Sequence, residues 1–300
     1  MELNANRRTP TEFEYWNLLT PELKVECVKK MSLMEKIHLR STSKTEKEVV
    51  SLVKFDLKQV SLSDTNYGPI LEINVDDEEK FKLFAETEEI KEVQMVPLLV
   101  YLLKNGTIGD FVSREYTPYS EESWTKIQSC APFRFKKISL ELETNPEKRE
   151  YLHKCVPELI KEVCFGAPFD DDSFNPLFEI ESLKNVVKFQ AGGNTNVVMR
   201  LAEEWIAKDK DIGNKMHFPC FVRKNELFDR FERHFSDKVV YRKDELRIKT
   251  TNASKHLILL VVKRDGFVNT YALAVLPSAL RRQSQEYSEF IEDCKSIDGC

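Results

Sequence analysis

Apolar residues in the first fifty positions recur at helical spacing and are broken at short intervals by capping residues. Leu23, Cys27, Val28 and Met31 form one stripe, the i, i+3, i+4 pattern of an amphipathic helix. Thr20 followed by Pro21 is a start signal, because proline's missing N–H would go unpaired in the first turn anyway. Ser32 restarts the pattern, with Glu35 three residues on as the reciprocal partner of a capping box, and Leu33, Ile37 and Leu39 follow. A third helix opens at Ser43 or Thr45 and buries Val49, Val50 and Val53. Three short helices in about 40 residues cannot cover all their apolar faces with one another. Part of that surface should face another protein.

Beyond residue 53 the pattern turns to short strands alternating with helical stretches. Phe135-Lys-Lys-Ile-Ser-Leu-Glu-Leu, Leu159-Ile-Lys-Glu-Val-Cys-Phe and Leu183-Lys-Asn-Val-Val-Lys-Phe share a phrase, and their central pairs Ile138/Leu140, Val163/Phe165 and Val187/Phe189 lie 25 and 24 residues apart. That period falls within the range of strand-plus-helix repeats of the leucine-rich type; an ordinary α/β domain whose units share a length fits as well. Ile90-Lys-Glu-Val-Gln-Met95 repeats Ile160-Lys-Glu-Val-Cys-Phe165 almost verbatim, and Val60-Ser-Leu62 reads as another copy. Helices are predicted over Ser120–Gln128, Pro146–Val156 and Asn194–Lys208, the last with Val197, Val198, Leu201, Trp205 and Ile206 inward. Strand–helix–strand links of this length favour parallel neighbours.

The end of the chain departs from the repeat. Asn225–Phe235 reads as a helix with Leu227, Phe228 and Phe231 inward, and Leu246–Lys249, His256–Lys263 and Asn269–Leu276 as strands. Asp265-Gly266 between the last two is a hairpin signal. These strands form an antiparallel cap over the last sheet edge. The domain reading is a disordered stretch over 1–12, a helical module over 13–53, an α/β repeat-like domain over 54–280, and a polar tail over 281–300 with a short helix at Glu286–Cys294. The fold class is α+β/α/β, with three helices followed by a curved, mostly parallel sheet.

Composition narrows the function classes. Three hundred residues with 41% apolar content can build at least one sizeable core. The net charge of −5 gives no strong field of one sign, so nucleic acid and membrane surfaces are not expected partners. No apolar run reaches the ~18 residues of a membrane helix, and the N-terminus has no signal-peptide pattern. Seven scattered cysteines without a Cys-x-x-Cys pair fit reduced thiols in the cytosol or nucleus.

Trp16-Asn-Leu-Leu-Thr-Pro-Glu-Leu-Lys24, with the later Leu39-Arg-Ser-Thr-Ser-Lys-Thr-Glu46, resembles the F-box of the large nematode F-box family. The resemblance covers about residues 14–53, with Cys27 and Val28 where many F-boxes carry larger aliphatics. In that family an FTH-type associated domain follows the F-box, and Leu246-Arg-Ile-Lys-Thr-Thr-Asn-Ala-Ser-Lys-His256 is similar to a late segment common in such proteins. The resemblance implies a substrate-recognition subunit of an SCF-type cullin–RING ubiquitin ligase. In it a Skp-type adaptor docks on the F-box and the C-terminal domain holds a target protein. Leu18, Leu19, Pro21, Leu23, Val28, Met31, Ile37 and Leu39 are then the expected adaptor contacts. Ser139, Cys164 and Lys188, placed outward by strand alternation, are candidates for the target surface. A protein-interaction scaffold unrelated to ubiquitin is the alternative.

Catalytic signatures are missing from the sequence: no Gly-x-Ser-x-Gly, His-Glu-x-x-His, Walker or Gly-x-Gly-x-x-Gly motif occurs. Ala191-Gly-Gly-Asn-Thr-Asn lacks the lysine and glycine spacing of a phosphate loop and reads as a strand-to-helix turn. Asp170-Asp-Asp172 lacks a calcium-loop pattern. His153 and Cys155 could share a metal only by a coincidence of folding. The expectation is therefore a non-enzyme with no cofactor and no metal.

Overall fold

A computed structural model describes residues 15–295 except 67, 115–118, 142–148, 170–176, 178, 194, 221 and 266–267. The expected disordered stretch 1–12, the acidic run 170–172 and Gly266 of the hairpin turn lie outside the described residues. The chain divides into two compact units, one ending at Asp56 and the other beginning at Leu57.

Among its described residues the first unit holds a 3-10 turn, Trp16–Leu18, and three helices: α1 (Pro21–Lys30), α2 (Leu33–Thr42) and α3 (Lys44–Ser51). Each helix starts where the side chains can satisfy its free N–H groups. Thr20 caps α1 with Pro21 in the first turn. Ser32 and Glu35 form the reciprocal box on α2, at 3.2 Å for Glu35 N–H to Ser32 Oγ and 2.7 Å for Ser32 N–H to Glu35 Oε2. Ser43 caps α3. Helices α1 and α2 both pack on α3, and Val28, Leu33, Val49, Val50 and Val53 are buried.

The second unit is built on a 12-stranded mixed sheet in the order β3-β2-β1-β4-β5-β6-β7-β8-β12-β11-β10-β9. The first three strands, β1 (Phe55–Thr65), β2 (Gly68–Asn74) and β3 (Lys80–Phe84), pair antiparallel. The centre is parallel and in chain order: β4 (Gly106–Arg114), β5 (Phe135–Leu140), β6 (Glu162–Phe169), β7 (Lys188–Gly193) and β8 (Lys215–Cys220). The C-terminal strands β9 (Val239–Arg242), β10 (Glu245–Lys249), β11 (Lys255–Asp265) and β12 (Val268–Pro277) are antiparallel, with β12 against β8. An α/β fold with an antiparallel C-terminal end is thus present.

Helices link the strands: α4 (Glu88–Ile90), a π turn over Lys91–Met95, α5 (Val96–Asn105), α6 (Glu121–Gln128), α7 (Arg149–His153), a 3-10 turn (Glu181–Asn185), α8 (Thr195–Ala207), α9 (Lys224–His234) and α10 (Gln285–Lys295). An aromatic cluster ties the parallel centre to its helices. Phe111 of β4 stacks on Phe135 of β5 at 4.5 Å and meets Tyr151 of α7 at 5.1 Å. Trp124 of α6 closes on Tyr151 edge-on at 5.2 Å. Edge-to-face and offset pairs of this kind add to what burial alone provides.

Two repeat-based expectations change. Val163 pairs with Phe189, not Val187, so the third phrase is displaced by two residues. A shift of two keeps every side chain on its face, because the strand period is two; Val187 falls before β7 and is 39% exposed. Val60–Leu62 lies in β1, which pairs antiparallel with β2 and has β4 on its other side. Ile90–Met95 is helical, not a strand copy, because it runs straight into the apolar helix α5. The polar tail expected over 281–300 also needs correcting: its helix, α10, is docked. Tyr287 and Cys294 of α10 are buried with Ile258, Leu260, Ala272, Ala274 and Leu276, and Phe290 and Ile291 pack beside them.

Candidate functional site

In the helical unit the inward side of α1 is set by charge as much as by greasiness. Lys24 and Val28, four apart, both point in and are buried. Lys24 Nζ meets Glu46 Oε1 at 3.2 Å, Trp16 Nε1–H donates to the same oxygen at 2.8 Å, and Ser43 Oγ–H bonds the other oxygen. The Lys24 ammonium also lies 5.2 Å from the Trp16 ring centre. Hydrogen bonds from Ser43 and Trp16, with the Lys24 charge beside them, hold the Glu46 carboxyl down at about 2 against the burial that raises it.

This cluster turns Leu23 outward, where apolar spacing alone had grouped it with Cys27 and Val28. Leu23 is 52% exposed, and Leu18, on the other side of the Thr20–Pro21 turn, is 77% exposed. Pro21 is exposed, and Leu19, Met31, Ile37 and Leu39 are half-buried. Val28 is the exception among the expected contacts: it is fully buried and belongs to the core, so it holds the helix and offers nothing to a partner.

The second candidate surface is one face of the parallel centre. Strand register lines up two rows across five strands. The first runs Asp110, Lys137, Glu162, Lys188, Lys215; the second runs Val112, Ser139, Cys164, Gln190, His217. Like positions on neighbouring strands face the same way. The first row pairs its own charges, Lys137 with Asp110 at 3.4 Å and Lys188 with Glu162 at 3.1 Å. At its far end Lys215 binds Asp293 of α10 at 2.8 Å, and His217 Nε2 lies 2.6 Å from the Cys294 carbonyl. Burial is the main cause holding the His217 pKa below its ordinary value.

A hollow of about 340 Å³ opens on this face at the departing ends of β5–β7, the end of a parallel sheet where ligands usually sit. Ser139, Cys164 and Gln190 line it, with Arg114 and Glu141 alongside. The sequence reading placed Ser139, Cys164 and Lys188 outward as exposed contacts. Ser139 and Cys164 do reach the hollow together but are buried, at 6% and 3% exposure, and Lys188 is committed to Glu162. Cys164 is disulfide-bonded, against the expectation of reduced thiols, so the chemistry offered is hydrogen bonding by Ser139 and Gln190. Ser139 Oγ lies 3.5 Å from Asp110 Oδ1, and its nearest histidine along the row is engaged with Cys294. The rows went unread in the sequence because their members are spaced by the lengths of intervening helices. Their signal is Asp/Glu or Lys two residues before a small or polar residue in each strand.

Burial raises the thiol pKa of Cys130, Cys155 and Cys294, the reverse of what a nucleophile needs. His153 is exposed while Cys155 is buried. Among the described residues no three His, Cys, Asp or Glu side chains gather to hold a metal, and no helix is long and apolar enough to cross a membrane. No family model, curated protein or solved structure matches the chain.

Proposed function

We propose that the N-terminal helices dock this chain, as an F-box, onto a Skp-type adaptor of a cullin–RING ubiquitin ligase, and that the α/β unit recruits a target protein. The observation that carries the reading is the outward position of Leu18 and Leu23 beside the Thr20–Pro21 turn, at 77% and 52% exposure, in a unit whose own core is closed by Val28, Leu33, Val49, Val50 and Val53. A small unit that keeps two leucines in water has surface to bury elsewhere. The resemblance of Trp16–Glu46 to the F-box supplies the partner class, and the α/β unit is left to hold the target. Leu19, Pro21, Met31, Ile37 and Leu39 complete the contact.

The mechanism is proximity. Holding a target beside a charged ubiquitin-conjugating enzyme raises the effective concentration of its lysines without any catalytic group on this chain. Leu23→Asp in the full-length protein tests the reading: co-purification with a Skp-type adaptor should be lost while the sheet unit stays folded by circular dichroism. Retained binding by this variant overturns it. A scaffold unrelated to ubiquitin becomes the better account if the wild-type chain binds no such adaptor.

A further inference from the structure

A second cavity lies in the α/β unit, at the end of the parallel strands opposite the hollow. It opens between α8, the 3-10 turn Glu181–Asn185 and the entering ends of β6–β8, and encloses about 630 Å³. Its wall is apolar around Trp205, and two side chains that a closed core would hide, Val187 and Ile212, stand at it 39% and 47% exposed. Lysines surround this apolar wall. Two of them are already paired: Lys208 with Glu204 at 2.6 Å and Lys184 with Glu181. The local acids are also occupied, since Lys255 takes Asp209 at 3.0 Å and Asp211 at 3.8 Å.

Lys161 and Lys210 are left without a carboxylate at ion-pair distance among the described residues. The Lys210 ammonium donates to the Lys184 carbonyl, and burial pulls its pKa down even with Asp211 nearby. A half-buried cation with an uncharged acceptor gains most from an incoming anion, because part of its desolvation cost has already been met.

We propose that this cavity is a docking site for an acidic peptide segment, an apolar side chain packing against Trp205, Val187 and Ile212 while neighbouring carboxylates meet Lys161 and Lys210. The choice of partner follows from charge complementarity: paired acids, unpaired lysines and an exposed apolar wall in one opening. It deepens the receptor reading by naming where and what kind of target the α/β unit takes. The test needs no adaptor, so its failure and the failure of adaptor docking are told apart.

Fluorescein-labelled degenerate peptide pools are titrated against the full chain by anisotropy. One pool alternates Asp/Glu with Leu/Ile/Phe, a second replaces the acids by Lys/Arg, and a third replaces the apolar residues by Ser. The acidic–apolar pool should bind, more weakly as salt rises, and both other pools should bind at least about tenfold more weakly. The double variant Lys161→Glu/Lys210→Glu should lose binding by about tenfold or more, and Ile212→Ser, at a position 47% exposed, should weaken the same pool. No binding by any pool, equal binding by all three, or undiminished binding by either folded variant overturns the proposal.

Discussion

Replacing Glu46 by glutamine should loosen the N-terminal helices and remove most of their acid sensitivity. Glu46 is 8% exposed and its carboxylate collects Ser43, Trp16 and Lys24, joining all of α1, α3 and the preceding turn. Those partners take its pKa from the ordinary 4.5 to about 2. A shift of that size is worth ~3 kcal/mol if taken whole. The cluster forms the wall of a small unit close to water, and screening brings the expected contribution to about 1–2 kcal/mol. Because the folded-state pKa is depressed, this stability is complete above the unfolded value and fades as pH falls from about 4.5 toward about 2. Glutamine keeps an acceptor for Trp16 and Lys24 but removes the charge and turns an N–H₂ toward Ser43. Hydrogen-exchange mass spectrometry on peptides spanning 21–51 locates the loss, and urea melts at about pH 6 and about pH 3 measure its pH dependence. Unchanged protection in Glu46→Gln near neutrality, or parallel acid loss in wild type and variant, would refute the reasoning.

Other outcomes follow from the sheet unit. His217, with its pKa lowered by burial, is stabilising while neutral, so docking of α10 should weaken as pH drops below the ordinary histidine value of 6.5; Lys215 and Lys188 oppose its protonation and Asp293 favours it. Exchange of residues 285–295 should rise over that range in wild type and stay flat in His217→Gln. Gly109→Ala should cost about 2 kcal/mol or more in a denaturant melt, because the added Cβ would lie 2.6 Å from the Lys58 carbonyl oxygen at the β1–β4 seam. Native alkylation with iodoacetamide should leave Cys155 and Cys294 unmodified, since both thiols are buried and held protonated.

Sequence periodicity was most legible where local rules act alone. Thr20–Pro21, Ser32 with Glu35, and Ser43 mark the three helix starts because capping depends only on neighbours. The parallel centre was legible through the phrase shared by β5 and β6, which pair in register as Ile138 with Val163 and Leu140 with Phe165. Tertiary effects hid the rest. Leu23 is outside because a lysine, paired with Glu46, takes its inward place, and no hydropathy pattern counts a lysine as core. Ile90–Met95 is helical although nearly identical in phrase to strand residues, because six residues carry less weight than the helix they lead into. The polar rows and the cavity at Trp205 bring together residues that the intervening helices separate in sequence, so only the fold assembles them.

The account rests on the outward leucines of the first unit making contact with another protein. Surface plasmon resonance of the full chain over an immobilised Skp-type adaptor, comparing wild type with Leu18→Asp/Leu23→Asp, tests this directly. Each leucine should be worth roughly 1–4 kcal/mol at such a contact, so the account predicts saturable binding by wild type and none by the double variant. Equal binding by both proteins, or no binding by wild type, would contradict it.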